Sequence, residues 1–318
     1  MWNFYHEEYV LKLLWTLLLL SLSAQAEIVS FNTLNNVGKL VADEKDFNDS
    51  ISRVVNGIDS YGLAPIKINI VITPSGDNAS FDYGNIIYIP RSMQFFNDYG
   101  TDAVYKTTMD IISVFAHEYG HSVFDAHLGI AMPLHLQLKK IKAEISDLSI
   151  KALRSPLTDD EIKKIQAEIS VKELSIRNNK GFIKLIFLTM PYAELFADTI
   201  AVYNMDSKGA IYESLYNPNV PFYKKTEREY VSARDFGQAH DLESWTMDED
   251  HVLFSPLRSV IGSDECWPAN DADRSRKLKY LSSILIADIL EKNAADKRAV
   301  IEDNRNLMKK FKEFCGTK

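Results

Sequence analysis

Residues 117–121 read His117-Glu118-Tyr119-Gly120-His121, and they lie inside a long apolar stretch of the chain. Residues at the spacing of the two histidines lie on the same face of a helix, so both imidazoles can point at one ion. Glu118 stands directly beside the first histidine. The segment therefore predicts a buried helix that carries two metal ligands and a carboxylate next to them.

The apolar residues around this segment also predict where the helix begins and ends. Thr101 or Asp102 can cap its N-terminus, and the helix is expected to run to about His127 and to stop at Gly129.

The residue types are those of a catalytic zinc site. Zinc binds neutral imidazole nitrogens at about 2.0–2.1 Å and keeps one position open for water in catalytic sites. The metal lowers the pKa of that water to about 7, so a neighbouring carboxylate can take its proton. Glu118 can act as this general base and pass the proton to a leaving amine. The motif predicts hydrolysis of peptide bonds by a zinc-bound water that Glu118 activates.

A third ligand is expected from a second apolar helix, about Pro191 to Asn204. Glu194 and Asp198 lie one helical turn apart on it, and buried carboxylates need an ion or a cationic partner. Glu194 can complete a Zn²⁺ shell with His117 and His121. Asp198 can accept the second ring N–H of a ligand histidine and so orient it. In the alternative, the two carboxylates simply face water.

With these residues in place, the two helices resemble those of the thermolysin-like gluzincins, a class of zinc metallopeptidases. His117-Glu118-x-x-His121 is similar to the family's first zinc helix, and Glu194-x-x-x-Asp198 is similar to its second. The resemblance implies a zincin-like α+β fold. A β-rich N-terminal lobe and a mainly helical C-terminal lobe would then flank the zinc.

The resemblance also implies an edge strand that pairs with an extended substrate, for which Asn85 to Pro90 is the candidate. Two features depart from the family. Ala193 stands where an asparagine usually precedes the third ligand, and the interval between His121 and Glu194 is much longer than in thermolysin.

The far side of the metal needs a donor for the developing oxyanion, which gluzincins take from their C-terminal part as a histidine or a tyrosine. His251 follows Asp248-Glu249-Asp250, and a neighbouring carboxylate would keep it protonated and oriented. His240 beside Asp241 and an unassigned tyrosine are the alternatives. Arg258 is expected to bind a substrate carbonyl or carboxylate. All of these residues could instead be loop residues in ordinary hydrogen bonds.

Two short apolar runs predict strands in the N-terminal lobe. Ile66 to Thr73 alternates apolar and polar residues, and Asn85 to Pro90 is the second run. Pro90 suggests a sheet edge or a strand end, because proline lacks an N–H for the ladder.

Residues 134–180 predict an antiparallel helical hairpin inserted between the two zinc helices. Apolar residues recur at three- and four-residue steps on both arms, and residues 154–157 break the pattern. Thr158 with Glu161 forms a capping box for the second arm. Residues 205–270 are expected to be irregular, and two amphipathic helices, about 271–292 and 295–314, close the chain.

The predicted organisation begins with a signal peptide at residues 1–26. Residues 11–22 are apolar and Ala24-Gln25-Ala26 supplies a cleavage site, so the protein is expected to be secreted or periplasmic, without a stable membrane span after cleavage. An uncleaved anchor or a buried helix is the alternative. An N-terminal lobe (27–130), the hairpin (134–180) and a helical C-terminal lobe (181–318) follow.

The net charge bears on the binding partners, and the two cysteines bear on a possible disulfide. The net charge of −8 disfavours nucleic acid and acidic membranes as the main partner. The hydrolytic motif, not the charge, predicts a peptide or protein substrate. In an oxidising compartment Cys266 and Cys315 can form one disulfide, and two unlinked thiols are the alternative.

Two competing hypotheses remain beside the peptidase. The chain could be a non-catalytic zinc-containing binding protein that acts through the hairpin, or a helical protein in which the motif is fortuitous. The intact Glu118 disfavours the first, because a purely structural site needs no base. Substrate specificity, endo- or exopeptidase action and oligomeric state are left open by the sequence.

Overall fold

The computed structural model describes residues 31–33, 45–63, 67–96, 103–154, 156–215, 225–245, 247–295 and 300–316. The predicted signal peptide and the expected helix cap at Thr101 or Asp102 lie outside these ranges. Within them the chain is α+β, with a small mixed sheet followed by a mostly helical body.

The sheet is built from five strands in the N-terminal part. These are β1 (Phe31–Thr33), β2 (Asn69–Gly76), β3 (Ser80–Phe81), β4 (Ile86–Phe96) and β5 (Ala103–Tyr105). Their order is β1-β2-β4-β3, with β5 paired to the far end of β4. The β1–β2 and β2–β4 pairs are parallel, whereas β3 and β5 run antiparallel to β4. Helix α1 (Lys45–Ser60) buries its apolar face in the same core.

The edge-strand expectation for Asn85 to Pro90 is wrong. This run belongs to β4, which pairs with β2 on one side and with β3 on the other. Pro90 does not end the strand, because it loses only one ladder hydrogen bond while β4 continues to Phe96. The Asp82 carboxylate accepts the N–H groups of Gly84 and Ile86, at 2.8 and 3.0 Å, and so turns β3 back onto β4. Among the described strands, β3 is the outer one on this side.

The helix that carries the histidine motif, α2, spans Thr108–Ala131. Its cap is Thr107, whose side chain and that of Asp110 bond each other's backbone N–H groups in a capping box. The predicted cap and the predicted stop at Gly129 are both wrong, since the capping box starts five or six residues after the predicted cap and the helix continues for about another half turn.

The hairpin prediction is confirmed in its two helices. Helix α3 spans Pro133–Arg154 and α4 spans Asp159–Asn178, and Thr158 with Glu161 forms the expected capping box. The arms meet through a small apolar cluster of Leu138 and Ile176, to which Phe182 of the following helix is added.

The second apolar helix, α5, spans Lys180–Met205 and is longer than predicted. The Asn179 side chain accepts the N–H groups of Gly181 and Phe182, which starts the helix well before Pro191. By length and composition α5 could cross a membrane, but 78% of its apolar window is buried inside the fold. Burial of this kind fits a core helix.

The C-terminal part contains more helix than predicted. Between residues 205 and 270 it forms α6 (Ala210–Leu215), α7 (Lys225–Ser232) and α8 (Ser255–Ile261), followed by α9 (Asp271–Ala295) and α10 (Val300–Gly316). Cys266 and Cys315 form a disulfide with Cα atoms 5.3 Å apart, which excludes the unlinked alternative and ties α10 to the segment before α9.

Candidate metal centre

Close packing of α2 against α5 brings the two predicted motifs together. Gly120 lies in the contact, where a Cβ atom would stand 2.7 Å from the Ala197 Cα and 3.1 Å from its carbonyl oxygen. One turn further along, the rings of Phe124 and Phe196 stack with centroids 5.0 Å apart. The missing side chain of Gly120 is therefore what lets the two helix backbones approach at the level of the motifs.

His117, His121 and Glu194 converge at this contact, and each is buried. The two Nε2 atoms are 2.9 Å apart, and each lies 3.4 Å from one oxygen of the Glu194 carboxylate. The ligand atoms of the three residues all lie within 4.8 Å of one another. The group could hold a metal ion.

The hydrogen bonding of this group fits a cation. His117 Nδ1 is 2.8 Å from the Asp198 carboxylate, so in the neutral ring that a metal requires it carries the proton and leaves a lone pair on Nε2, facing the Nε2 of His121. Among the described residues, His121 Nδ1 and Glu194 Oε2 have no hydrogen-bond partner although both are buried. Two imidazole nitrogens and a carboxylate form a donor set that suits zinc and other first-row metals.

The pKa shifts of the candidate ligands also indicate that the cluster stabilises positive charge. Burial acts to lower the pKa of His117, but the neighbouring carboxylates of Asp198 and Glu194 outweigh burial and raise the pKa to about 9. Burial would raise the pKa of Glu194, yet the two histidines hold it well below its usual range. Glu194 is therefore ionised at neutral pH and can offer its negative charge to a bound cation.

Asp198 lies behind the ligands, where two arginines hold it in addition to the ligand His117. Arg258 donates to its Oδ2 from Nε and Nη2, at 3.0 and 2.7 Å, and Arg234 donates from Nε at 3.1 Å. Burial would raise the pKa of Asp198, but Arg234, Arg258 and His117 keep it far below its usual range. The carboxylate that orients His117 is thus permanently ionised and fixed in position.

This arrangement corrects the prediction for Arg258. Its side chain is 0% exposed and is bonded to Asp198, and it is not among the described residues that line the cleft. A fully enclosed guanidinium cannot reach a substrate, so we assign Arg258 to the support of Asp198. Arg234 lies nearer the cleft, with Nη2 3.7 Å from Glu194. The sequence around Arg234 carries no motif that would have singled it out.

Glu118 lies at the floor of the cleft and is bound to the outer strand. Its side chain is buried to 8% exposure, and its Oε2 accepts the backbone N–H of Phe81 in β3 at 2.8 Å. The candidate base is therefore aimed by β3 itself, beside the ligand cluster.

The cleft above the cluster has a volume of about 230 Å³. Its walls come from β3 and the residues on either side of it, from α2 and α5, and from α6 with two turn residues of the C-terminal part. The described lining residues are Asn78, Ala79, Ser80, Phe81, Tyr83, Val114, His117, Glu118, His121, Glu194, Ile211, Ser214, Leu215, Arg234 and His251. Tyr83 was not predicted, and its φ of 58° is a backbone conformation that side-chain-bearing residues rarely adopt.

Of the two histidines considered as oxyanion donors, the structure brings His251 to the cleft. Its Nε2 lies 3.6 Å from Glu194, its Nδ1 is 2.7 Å from Glu249, and its side chain is 35% exposed. His240 packs against Trp245, with ring centroids 5.2 Å apart, and is not among the described residues of the cleft wall.

The remaining histidines near the motif are structural. His127 Nδ1 is 2.5 Å from the Ser282 hydroxyl. His135 Nε2 is 2.7 Å from Asp125, which also pairs with Lys139, so Asp125 joins α2 to α3.

Comparison of the chain with protein-family models, with curated proteins and with solved structures gave no match in any of the three.

Proposed function

We propose that this protein is a zinc-dependent metallopeptidase of the gluzincin type, with a zincin-like fold. The observation that carries the proposal is that His117, His121 and Glu194 converge beside a cleft. Glu118 lines the same cleft and is not one of the three candidate ligands. A structural zinc site has no use for such a carboxylate, whereas a hydrolytic site needs one.

A zinc ion held by the two histidines and Glu194 would supply Lewis acidity, polarising a substrate carbonyl and making a water molecule acidic. Glu118 takes the proton from the attacking water and returns it to the leaving amine. Phe81 donates its N–H to the base and keeps it oriented towards the cluster. Asp198 holds the Nδ1 proton of His117 and fixes the ring.

The outer strand β3 replaces residues 85–90 as the candidate for substrate pairing. It forms one wall of the cleft, and an extended peptide could add beside it. On the opposite wall, His251 can donate to the oxyanion and Arg234 to a neighbouring substrate carbonyl. The reaction would therefore take place between the sheet and the C-terminal helices.

We also propose that the protein works outside the cytoplasm. The apolar stretch with its Ala-x-Ala site supports export, and the disulfide between Cys266 and Cys315 suits an oxidising compartment. Detection of the chain beginning at Glu27 in a periplasmic or culture fraction would support this, whereas an intact cytoplasmic chain would contradict it.

The decisive experiment measures zinc content and cleavage of a peptide library in parallel, with and without a chelator. The Glu118→Gln variant should keep one zinc per chain but lose at least about 10²-fold in kcat/KM, because only the base is removed. The Glu173→Gln variant changes an exposed glutamate of the hairpin and is the matched control. Wild-type protein with one zinc and no cleavage would favour the non-catalytic binding protein. Absence of stoichiometric zinc would favour a fortuitous motif.

A further inference from the structure

A second pocket opens beside the ligand cluster, on the side of the hairpin. Its volume is about 100 Å³, larger than the ~30 Å³ that one water molecule occupies, so it has room for a side chain. Tyr83 and His121 line both this pocket and the cleft. A substrate residue next to the scissile bond could therefore reach into it.

The hairpin builds one wall of this pocket and holds it in place. Helix α3 docks on the turn between β3 and β4, where Ser146 bonds Asp82 and the Asn85 backbone N–H donates to the Ser146 hydroxyl at 3.2 Å. A Cβ at Gly84 would lie 2.6 Å from the Lys142 carbonyl oxygen, which shows how closely the turn and α3 approach. The same contact supports Tyr83 in its left-handed conformation.

The pocket wall combines apolar side chains with an available cation. Leu128, Leu138, Ile186 and Met190 supply the apolar part. The ammonium of Lys142 lies 4.7 Å from the centroid of the Tyr83 ring and forms no salt bridge among the described residues.

Among the described residues, the only carboxylate of the wall, Asp125, does not compensate that cation directly. Asp125 is already paired with His135 and Lys139. Burial lowers the pKa of Lys142 against the attraction of Asp125 and Asp82, which shows that the ammonium is partly desolvated. In a chain of net charge −8, this pocket is locally cationic and would be stabilised by an anion.

We propose that this pocket is a specificity site for an acidic side chain with an apolar stem, such as glutamate, on the substrate residue adjoining the scissile bond. Lys142 binds the carboxylate, and the apolar wall receives the methylene groups of the stem. The proposal rests on the proposed peptidase function, and it gives the hairpin the role of selecting the substrate.

The test compares peptide pairs that differ only by glutamate or glutamine at the positions flanking a mapped cleavage site. Wild-type protein should prefer the glutamate peptide by about tenfold in kcat/KM, and Lys142→Met should abolish the preference. Lys142→Arg keeps the charge and should retain it. Lys140→Met removes an exposed lysine of the same helix and should leave the preference unchanged.

Measurements of peptide binding distinguish a failure of this proposal from a failure of the proposed peptidase function. In the Glu118→Gln variant, N-acetyl-Ala-Glu-Ala-amide should bind more tightly than its glutamine counterpart by calorimetry, and Lys142→Met should remove the difference. Cleavage without an acidic preference, or a preference that survives Lys142→Met, overturns the pocket assignment and leaves the peptidase intact. Lysine-dependent binding of the acidic peptide without any cleavage supports the pocket and refutes the peptidase.

Discussion

Substitution of Gly120 by alanine tests whether close packing of α2 and α5 assembles the metal site. The added Cβ would stand 2.7 Å from the Ala197 Cα, and relaxed carbon contacts are about 3.5–4.0 Å. The Ala197 Cα and the Ala197 carbonyl oxygen, 3.1 Å from the added Cβ, are both backbone atoms, so no rotamer change can relieve the contact. The two helices must therefore separate by about 1 Å. Metal–ligand distances tolerate only about 0.2 Å, so Glu194 would move out of reach of an ion bound to the histidines.

The expected cost to folding is about 1–3 kcal/mol for overpacking, offset by roughly 0.5–1 kcal/mol because alanine favours a helix more than glycine does. Zinc affinity should fall by more than tenfold, since a ligand is lost or displaced. Competition with a chromophoric chelator measures the affinity, and thermal unfolding followed by circular dichroism measures the stability.

Gly129→Ala is the matched control on the same helix. Its new Cβ would meet only Lys139 and Leu136 side-chain atoms, at 3.7 and 3.8 Å, which is ordinary contact. It should therefore keep the wild-type zinc affinity and melt at the same or a higher temperature. If Gly120→Ala matched Gly129→Ala in both measurements, the close approach would not be what assembles the site.

Three further predictions follow from the buried groups. Asp198→Asn should weaken zinc binding by about 10–100-fold, measured by chelator competition, because a neutral amide orients His117 less well; an unchanged affinity would contradict its positioning role. Replacing Cys266 and Cys315 by serine should lower the free energy of unfolding by about 4 kcal/mol for a 49-residue separation, measured in urea; a loss below about 1 kcal/mol would count against the bond. Burial lowers the pKa of His127 from 6.5 to about 4, so its contribution to stability is complete above pH 6.5 and is lost as the pH falls towards 4. Between pH 6.5 and 4, the free energy of unfolding measured by urea titration should fall by on the order of 3 kcal/mol more in wild type than in His127→Gln. If the free energies of the two proteins changed in parallel with pH, the assignment would be refuted.

The site illustrates which predictions local sequence supports. His117, His121 and Glu194 were predicted from helical spacing and from the cost of burying carboxylates, and the structure brings their ligand atoms together. Asp198 also stands where the spacing places it, beside a ligand ring. These relations hold within one helix or between two strongly apolar helices, so few alternative arrangements compete with them.

Residues that depend on distant contacts were predicted less well. Arg258 was expected in the cleft, but the buried charge of Asp198 draws it into the protein, and Arg234 occupies the position nearer the cleft. A charged residue in a segment without a periodic pattern gives no sign of which carboxylate will pair with it. The edge strand was misplaced for a similar reason, because the two-residue strand β3 is too short to show a periodic pattern.

By itself, the sequence of this protein determined the hairpin, the two apolar helices of the candidate metal site and the spacing of its ligands, since each follows from local periodicity and capping. Only the tertiary structure decided that β3 forms the cleft wall, that Tyr83 lies in the left-handed region, and that the hairpin closes a second pocket with Lys142. Those features arise where segments far apart in the chain are packed together. Their energies come from desolvation and close contact, which no local pattern of residues records.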